Sequence, residues 1–329
     1  LLPAILAVSE ESMSSGIDLL LAYLVGFEVA CSIGVGMSPE YFDELGWHPT
    51  GPLGSVGAGA GAAKILQMEK RKIAMTVSLA ASQGSGLRQN FGTMTKPFHA
   101  GNAARCGVTA ARLVNLGFTA GVDAIEGPFG FMKAFSGGKN FSTDAVIASL
   151  RSTSHMAESG IEIKKYPCCG SAHLALDALL TLVSTNNIDP MEISNINVLV
   201  DFDPPRSLIH SDPKTPLEGK FSIEYCLASG TVDKQVGLDT FTDDKFARTI
   251  VQSLMPKIEM KRIPGNEGKP SWMEGFHQVT IMLKNGQILS EQASRTRTGA
   301  LRGVSFPEVI NKFEDCASLV IAQEELPEL

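Results

Sequence analysis

Residues 196–205 read Ile-Asn-Val-Leu-Val-Asp-Phe-Asp-Pro-Pro. Ile196, Val198, Val200 and Phe202 recur every second residue, the period of a strand with one buried face, and Pro204-Pro205 ends it. The same texture continues downstream. Residues 258–263 form a second short alternating run. Val279, Ile281 and Leu283 lead into Asn285-Gly286 with Ile288 and Leu289 beyond, which is a hairpin pattern. Helical segments are expected between these strands at 171–186, 220–230 and 243–254. Residues 159–296 therefore read as an α+β domain with an antiparallel or mixed sheet.

Upstream the pattern is helical. Helices are expected over 2–12 and 16–36, the second apolar nearly all round, which implies burial. Ser38-Pro39-Glu40 opens a short helix with Pro at its first position. Gly46-Trp47-His48-Pro49-Thr50-Gly51-Pro52 cannot stay helical. A Gly- and Ala-rich stretch follows from Leu53 to Met68, then helices over 72–86 and 100–116 around a polar loop at 87–98. Ser142-Thr143-Asp144 starts another helix, and Ser305 with Glu308 forms a capping box for the last one. The expected organisation is a helical domain over 1–158, an α+β domain over 159–296, and a tail over 297–329 that returns to the helical domain.

With 329 residues, two domains are the expectation. Apolar residues make up 44% and charged residues 19%, which excludes a disordered chain. The net charge of −7 is carried by the first 63 residues, which hold seven acids and no Lys or Arg; the remainder is balanced. There is no basic face for nucleic acid and no polybasic patch for a membrane. Asp18 and Glu28 interrupt the longest apolar stretch, which favours a core helix over a membrane span. Six cysteines show no paired CxxC spacing, so a reduced, intracellular protein is expected, cytoplasmic, with a mitochondrial location left open. Cys168-Cys169 has one nearby histidine, His173, so no metal site is expected.

Gly57-Ala-Gly59-Ala-Gly61 lacks the preceding strand and following acid of a dinucleotide loop, and reads as a small-residue helix that admits a close neighbour. His48 stands on a rigid Pro/Gly turn. The densest polar cluster runs from Thr93 to Arg105. Lys96, His99, Asn102 and Arg105 recur every three residues, and a helix starting near His99 would put the last three on one face, with Lys96 on the entry loop. Lys164 to His173 leads into an apolar helix. Tyr225 sits on another, where a tyrosine is usually core with its hydroxyl on one partner. These residues alone indicate cationic and imidazole groups around a small anion, and no particular reaction.

At these same positions the chain resembles the MmgE/PrpD family, which includes cis-aconitate decarboxylases, 2-methylcitrate dehydratases and an iminodisuccinate epimerase. The resemblance rests on Gly46-Trp-His-Pro-Thr-Gly51, Lys96-Pro-Phe-His-Ala-Gly-Asn-Ala-Ala-Arg105, Glu126-Gly-Pro-Phe-Gly-Phe131, the stretch from Lys164 to His173, and Phe221-Ser-Ile-Glu-Tyr225. It implies a mainly α fold with an α+β insert: an all-helical domain plus a smaller α+β lid. It also implies a homodimer that uses no metal or organic cofactor. Carried over residue by residue, it makes His48, Lys96 and Tyr225 catalytic, and Lys164, Cys169, His173, His99 and Arg105 substrate-binding. Family members have an upstream segment with an acidic residue, a Thr and a His that help form the active site, and Leu1 falls just past where it would end.

The Lys96–Arg105 stretch and the Cys-Cys-Gly-x-x-His stretch favour a decarboxylase acting on a small di- or tricarboxylate such as cis-aconitate. Alternatives of the same resemblance are a 2-methylcitrate dehydratase-like hydro-lyase and an epimerase. A truncated, non-catalytic paralogue that binds an anion or pairs with a subunit is the alternative from another class.

Overall fold

The computed structural model describes residues 1–38, 40–152, 154–158, 160–265, 275–294, 304–322 and 325. The expected helix start at Pro39 and the expected domain boundary at 296/297 lie outside the described residues. The chain divides into two compact units, Leu1–Asn90 with Met94–Gly160, and Phe91–Thr93 with Ile161–Leu329. It is mainly α with a small mixed sheet.

The first unit contains α1 (Leu2–Glu11), α2 (Gly16–Val35), α3 (Glu40–Asp43), α4 (Pro52–Ile65), α5 (Lys70–Gln83), α6 (Thr95–Asn115), α7 (Phe131–Phe135), α8 (Thr143–Arg151) and α9 (His155–Glu158). Helix α4 is its axis and packs on α1, α2, α5 and α6. Its side chains are almost all Gly, Ala, Ser or Val, and nearly all of it is buried. That composition brings neighbouring backbones into contact. A Cβ on Gly57 would lie 2.5 Å from the Gly26 carbonyl oxygen of α2, and one on Gly107 of α6 would lie 2.4 Å from the Ala58 Cβ. The glycine run is therefore a packing device, as its sequence indicates. Ser15 caps α2 through Asp18, and Ser142 caps α8 by accepting from the Ala145 amide.

Two helices differ from expectation. Helix α2 buries one face through Ala22, Gly26, Ser32 and Ile33, while Ile17, Leu20, Leu21 and Val35 are exposed. Apolarity all round did not mean burial all round. Helix α6 begins at Thr95, so Lys96 lies in its first turn and not on an entry loop. Pro97 explains the difference. A proline normally signals a helix boundary, but its missing N–H costs nothing in a first turn, where the amides have no intrahelical partner.

The second unit contains α10 (His173–Thr185), α11 (Pro216–Gly219), α12 (Ile223–Asp233), α13 (Asp243–Phe246), α14 (Thr249–Leu254) and α15 (Phe306–Ala317). Its strands are β1 (Ile193–Val200), β2 (Ile258–Arg262), β3 (Phe276–Leu283) and β4 (Ile288–Ser294), in the order β2-β1-β3-β4. β1 pairs parallel with β2 and antiparallel with β3, so the sheet is mixed. β3 and β4 form the expected hairpin, with Gly286 at φ +87°. Ile193, Ile196, Val198 and Val200 of β1 bury one face against α10 and α12 side chains.

The helix expected over 243–254 is broken in two because Arg248 is extended, its guanidinium held on both oxygens of Asp233 at 2.6 and 2.7 Å. Ser305 and Glu308 form the expected box at α15. That helix belongs with the second unit: Lys312 donates to the Lys164 carbonyl and Glu308 pairs with Lys165.

The α4 contacts give a stability test. Gly57→Val places a branched side chain against the Gly26 backbone and is expected to destabilise by at least about 1–3 kcal/mol, the cost of overpacking. Gly101→Ala, on α6 with nothing within 4 Å of its added Cβ, is expected to stabilise by about 0.5–1 kcal/mol. Urea denaturation of the two variants beside the parent measures both.

Candidate active site

In the first unit the site begins with how α4 and α6 meet. Gly54 of α4 lies against Ala103 of α6, and four residues on in each helix Ala58 lies against Gly107. Equal steps in the same direction mean the helices run parallel, so their N-termini share one end. Neither has an acidic residue in its first turn or a side-chain cap. The positive dipole ends of both helices thus collect where Lys96 already stands, and that end favours anions.

His48 precedes α4 on a turn tied to the segment before α6. Its amide donates to the Gly86 carbonyl at 2.9 Å, Arg88 N donates to the Gly46 carbonyl at 2.8 Å, and Trp47 bridges Leu87. Gly51 has to be glycine, since a Cβ would lie 2.0 Å from the Ser85 carbonyl oxygen. With the turn so placed, His48 Nδ1 lies 3.0 Å from His99 Nδ1. Both imidazoles are buried, at 7% and 6% exposure. Burial, and then the nearby Lys96 charge, hold the His99 pKa below its usual value. Lys96 is half-buried, one turn before His99.

In the second unit the loop before α10 carries the other expected residues. Lys164 Nζ donates to the Cys168 carbonyl at 2.9 Å, and Cys169 N donates to the Lys220 carbonyl at 2.8 Å. Tyr166 donates to Asp177 at 2.7 Å, and its ring meets His173 edge-on with centroids 5.2 Å apart. His173 is buried and its Nε2 has no hydrogen-bond partner among the described residues. The contact with Cys226, opposed by burial and aided by His173 and Lys164, draws the Cys168 pKa down, while the Cys168 contact and burial push Cys226 up. Glu224 is also buried, which raises its carboxyl, and it accepts from Ser222 Oγ at 3.0 Å. A separate cavity of about 670 Å³ in this unit is lined by Lys165, Asp177, Lys234, Glu308 and Lys312 among others, and does not include Lys164.

The expected residues therefore sort into groups. His48, His99 and Lys96 come together at the α4/α6 end. Lys164, Cys169 and His173 share the loop before α10. Arg105 stands apart: it is exposed and donates twice to Asn102 on its own helix. Tyr225, expected to be catalytic, is fully buried. Its hydroxyl donates to the Thr240 carbonyl and its ring packs on Phe241 and Phe246, so in this structure it is a core tyrosine. Sequence reasoning passed over Cys168 and Glu224. Each is adjacent to a residue it did select; Cys168 is distinguished by its distant partner Cys226, and Glu224 by its burial. Among the described residues no group of three or more His, Cys, Asp or Glu could hold a metal ion.

Fold and site together describe a protein of two parts, a helical one ending in an imidazole–lysine cluster and an α+β one with a thiol–imidazole–lysine loop. Models of the MmgE/PrpD N-terminal and C-terminal domains match residues 1–144 and 166–328, and the chain belongs to the MmgE/PrpD family. It is similar to the cis-aconitate decarboxylase of Homo sapiens, 25% identical over 338 residues that cover all of this chain and 69% of that protein. It is likewise 26% identical over 349 residues to the cis-aconitate decarboxylase of Aspergillus terreus, covering all of this chain and 70% of that one. The cis-aconitate decarboxylase-like protein oryM of Aspergillus oryzae is 25% identical over 350 residues, covering 99% and 71%.

The lowered His99 pKa fixes the sign of a pH effect. The unfolded chain takes up the proton first, so the His99 contribution to stability is complete above about pH 6.5 and is lost as pH falls through the folded value. The urea midpoint is expected to drop as pH is lowered from about 7 to about 5, and to drop less in His99→Gln. Equal pH dependence in parent and variant would remove His99 from that account.

Proposed function

We propose that this chain is a lyase acting on a small di- or tricarboxylate, with cis-aconitate-like decarboxylation as its reaction. The observation that carries this reading is the imidazole–lysine cluster at the paired N-termini of α4 and α6, in a chain matched along its whole length by proteins named cis-aconitate decarboxylase. The helix dipole ends, Lys96 and the imidazoles at that end suit a carboxylate. Charge-assisted hydrogen bonds from such groups hold carboxylates and orient them.

Loss of carbon dioxide from cis-aconitate leaves its electron pair as an allylic carbanion next to a remaining carboxylate. Fixed cations and amide dipoles stabilise that charge as it develops. A proton then goes to carbon, and His48 is the titratable group of the cluster suited to deliver it. A dehydratase would need the same anion-holding groups, with a base at a carbon acid and an acid at the departing hydroxyl. Tyr225, whose hydroxyl is engaged in the core, is not assigned either role.

The test is turnover by the purified protein. Carbon dioxide release from cis-aconitate is the expected result. Water loss from 2-methylcitrate without carbon dioxide release would establish the dehydratase instead. A folded chain that binds these tricarboxylates and turns over neither would establish the non-catalytic alternative. Lys96→Ala is expected to lower kcat/KM by about hundredfold or more, the loss of a charge-assisted contact to substrate, with an unchanged circular dichroism spectrum. Turnover like the parent's would take Lys96 out of the site.

A further inference from the structure

His48 and His99 meet Nδ1 to Nδ1 at 3.0 Å, with ring centroids 5.2 Å apart and planes tilted by 51°. At that distance one proton lies between the two nitrogens, since two lone pairs would repel and two N–H groups would clash. We propose that His99 is a positioning residue: it keeps one proton on the Nδ1–Nδ1 axis, so that His48 exchanges protons with substrate only through Nε2. The inference rests on the reading of His48 as the proton-carrying group.

Proton counting gives the consequence. Each neutral imidazole carries one N–H. The neutral pair holds two, one on the shared axis and one on an Nε2. A third proton completes the set, with both Nε2 atoms and the axis occupied. A fourth would set two N–H groups against each other, so the intact pair carries at most one positive charge. Burial of His99, and then the Lys96 charge one turn back on α6, disfavour a cation on His99. His48 takes the charge, with Nδ1–H donating to neutral His99. When His48 then gives its Nε2 proton to a carbanion, a C–H bond forms and the pair returns to neutral without moving either ring.

An Asp or Glu beside a histidine also fixes its tautomer, but an anion strengthens the histidine as a base. A neutral imidazole fixes the tautomer without that effect and leaves no negative charge facing a polycarboxylate. The local packing maintains the arrangement. Gly86 accepts from the His48 amide, and a Cβ on Gly86 would lie 3.1 Å from His99 Cγ, tighter than an ordinary contact, so this segment fixes the His48 backbone and lies close against the His99 ring.

Histidine side-chain NMR on the 15N-labelled protein tests this directly. A nitrogen–nitrogen coupling across the shared proton, between His48 Nδ1 and His99 Nδ1, is expected in the parent. Its absence would overturn the proposal whatever the enzyme does. In His99→Phe the coupling is gone and the His48 tautomer is expected to change. An unchanged His48 tautomer in a folded His99→Phe would also overturn it. His99→Gln, which retains an acceptor, is the second variant if His99→Phe does not fold, and is expected to restore the parent tautomer in part. In turnover, His99→Phe is expected to lower kcat by about tenfold or more and to shift the pH profile, with KM within about threefold. A loss confined to KM would make His99 a substrate contact and overturn the positioning role. A parent that shows the coupling but turns over no substrate would refute the proposed function while leaving the tautomer assignment in place.

Discussion

The first unit depends on how little side chain α4 carries. Its Gly and Ala positions let α2 and α6 approach until backbone meets backbone, at Gly26 against Gly57 and Gly107 against Ala58. Close packing at that density leaves no freedom to slide by a residue, because each step would drive a Cβ into a neighbouring main chain. The register of α4 and α6 is therefore set far from the site, and it puts the turn bearing His48 and the first turns of α6 at the same end. The 3.0 Å contact between the two imidazoles follows from a packing interface whose midpoint is two helical turns away.

The second unit solves a different problem. A strap from Lys164 to Cys169 has few regular hydrogen bonds of its own, and side chains and neighbouring backbone hold it in place. Lys164 closes on the Cys168 carbonyl, Cys169 hydrogen-bonds Lys220, and Tyr166 is pinned to Asp177. Burial then sorts the ionisable groups. Cys168 is drawn down by Cys226, His173 and Lys164, Cys226 is pushed up, and Glu224 is raised. The ionisable groups of this unit are thus shifted in different directions by their surroundings.

Several features could be read along the chain because they depend on local periodicity or local chemistry. The alternation at Ile196–Val200, the Asn285-Gly286 hairpin, the Ser142 cap and the Ser305/Glu308 box all formed as their spacing indicates. The glycine run was recognised as a packing helix because it lacked what a nucleotide loop needs. Where local signals misled, position within the helix or another contact outweighed them. Pro97 marks a boundary in isolation but sits harmlessly in the first turn of α6, and Arg248 interrupts a helical run because Asp233 holds it extended. Arg105 shares the three-residue spacing of Lys96 and His99, yet it turns to Asn102 and solvent.

By itself, the sequence determined the kinds of element, most of their ends and the short list of residues with the right chemistry, since these depend on periods of two and 3.6 and on side-chain type. Tertiary structure decided which of those residues meet and in what state. It joined His48 to His99 across 51 positions of chain, buried Tyr225 onto the Thr240 carbonyl, and set Cys168 against Cys226, which draws the Cys168 pKa down. Pairing, burial and proton position depend on groups distant in sequence and close in space, so no local pattern encodes them.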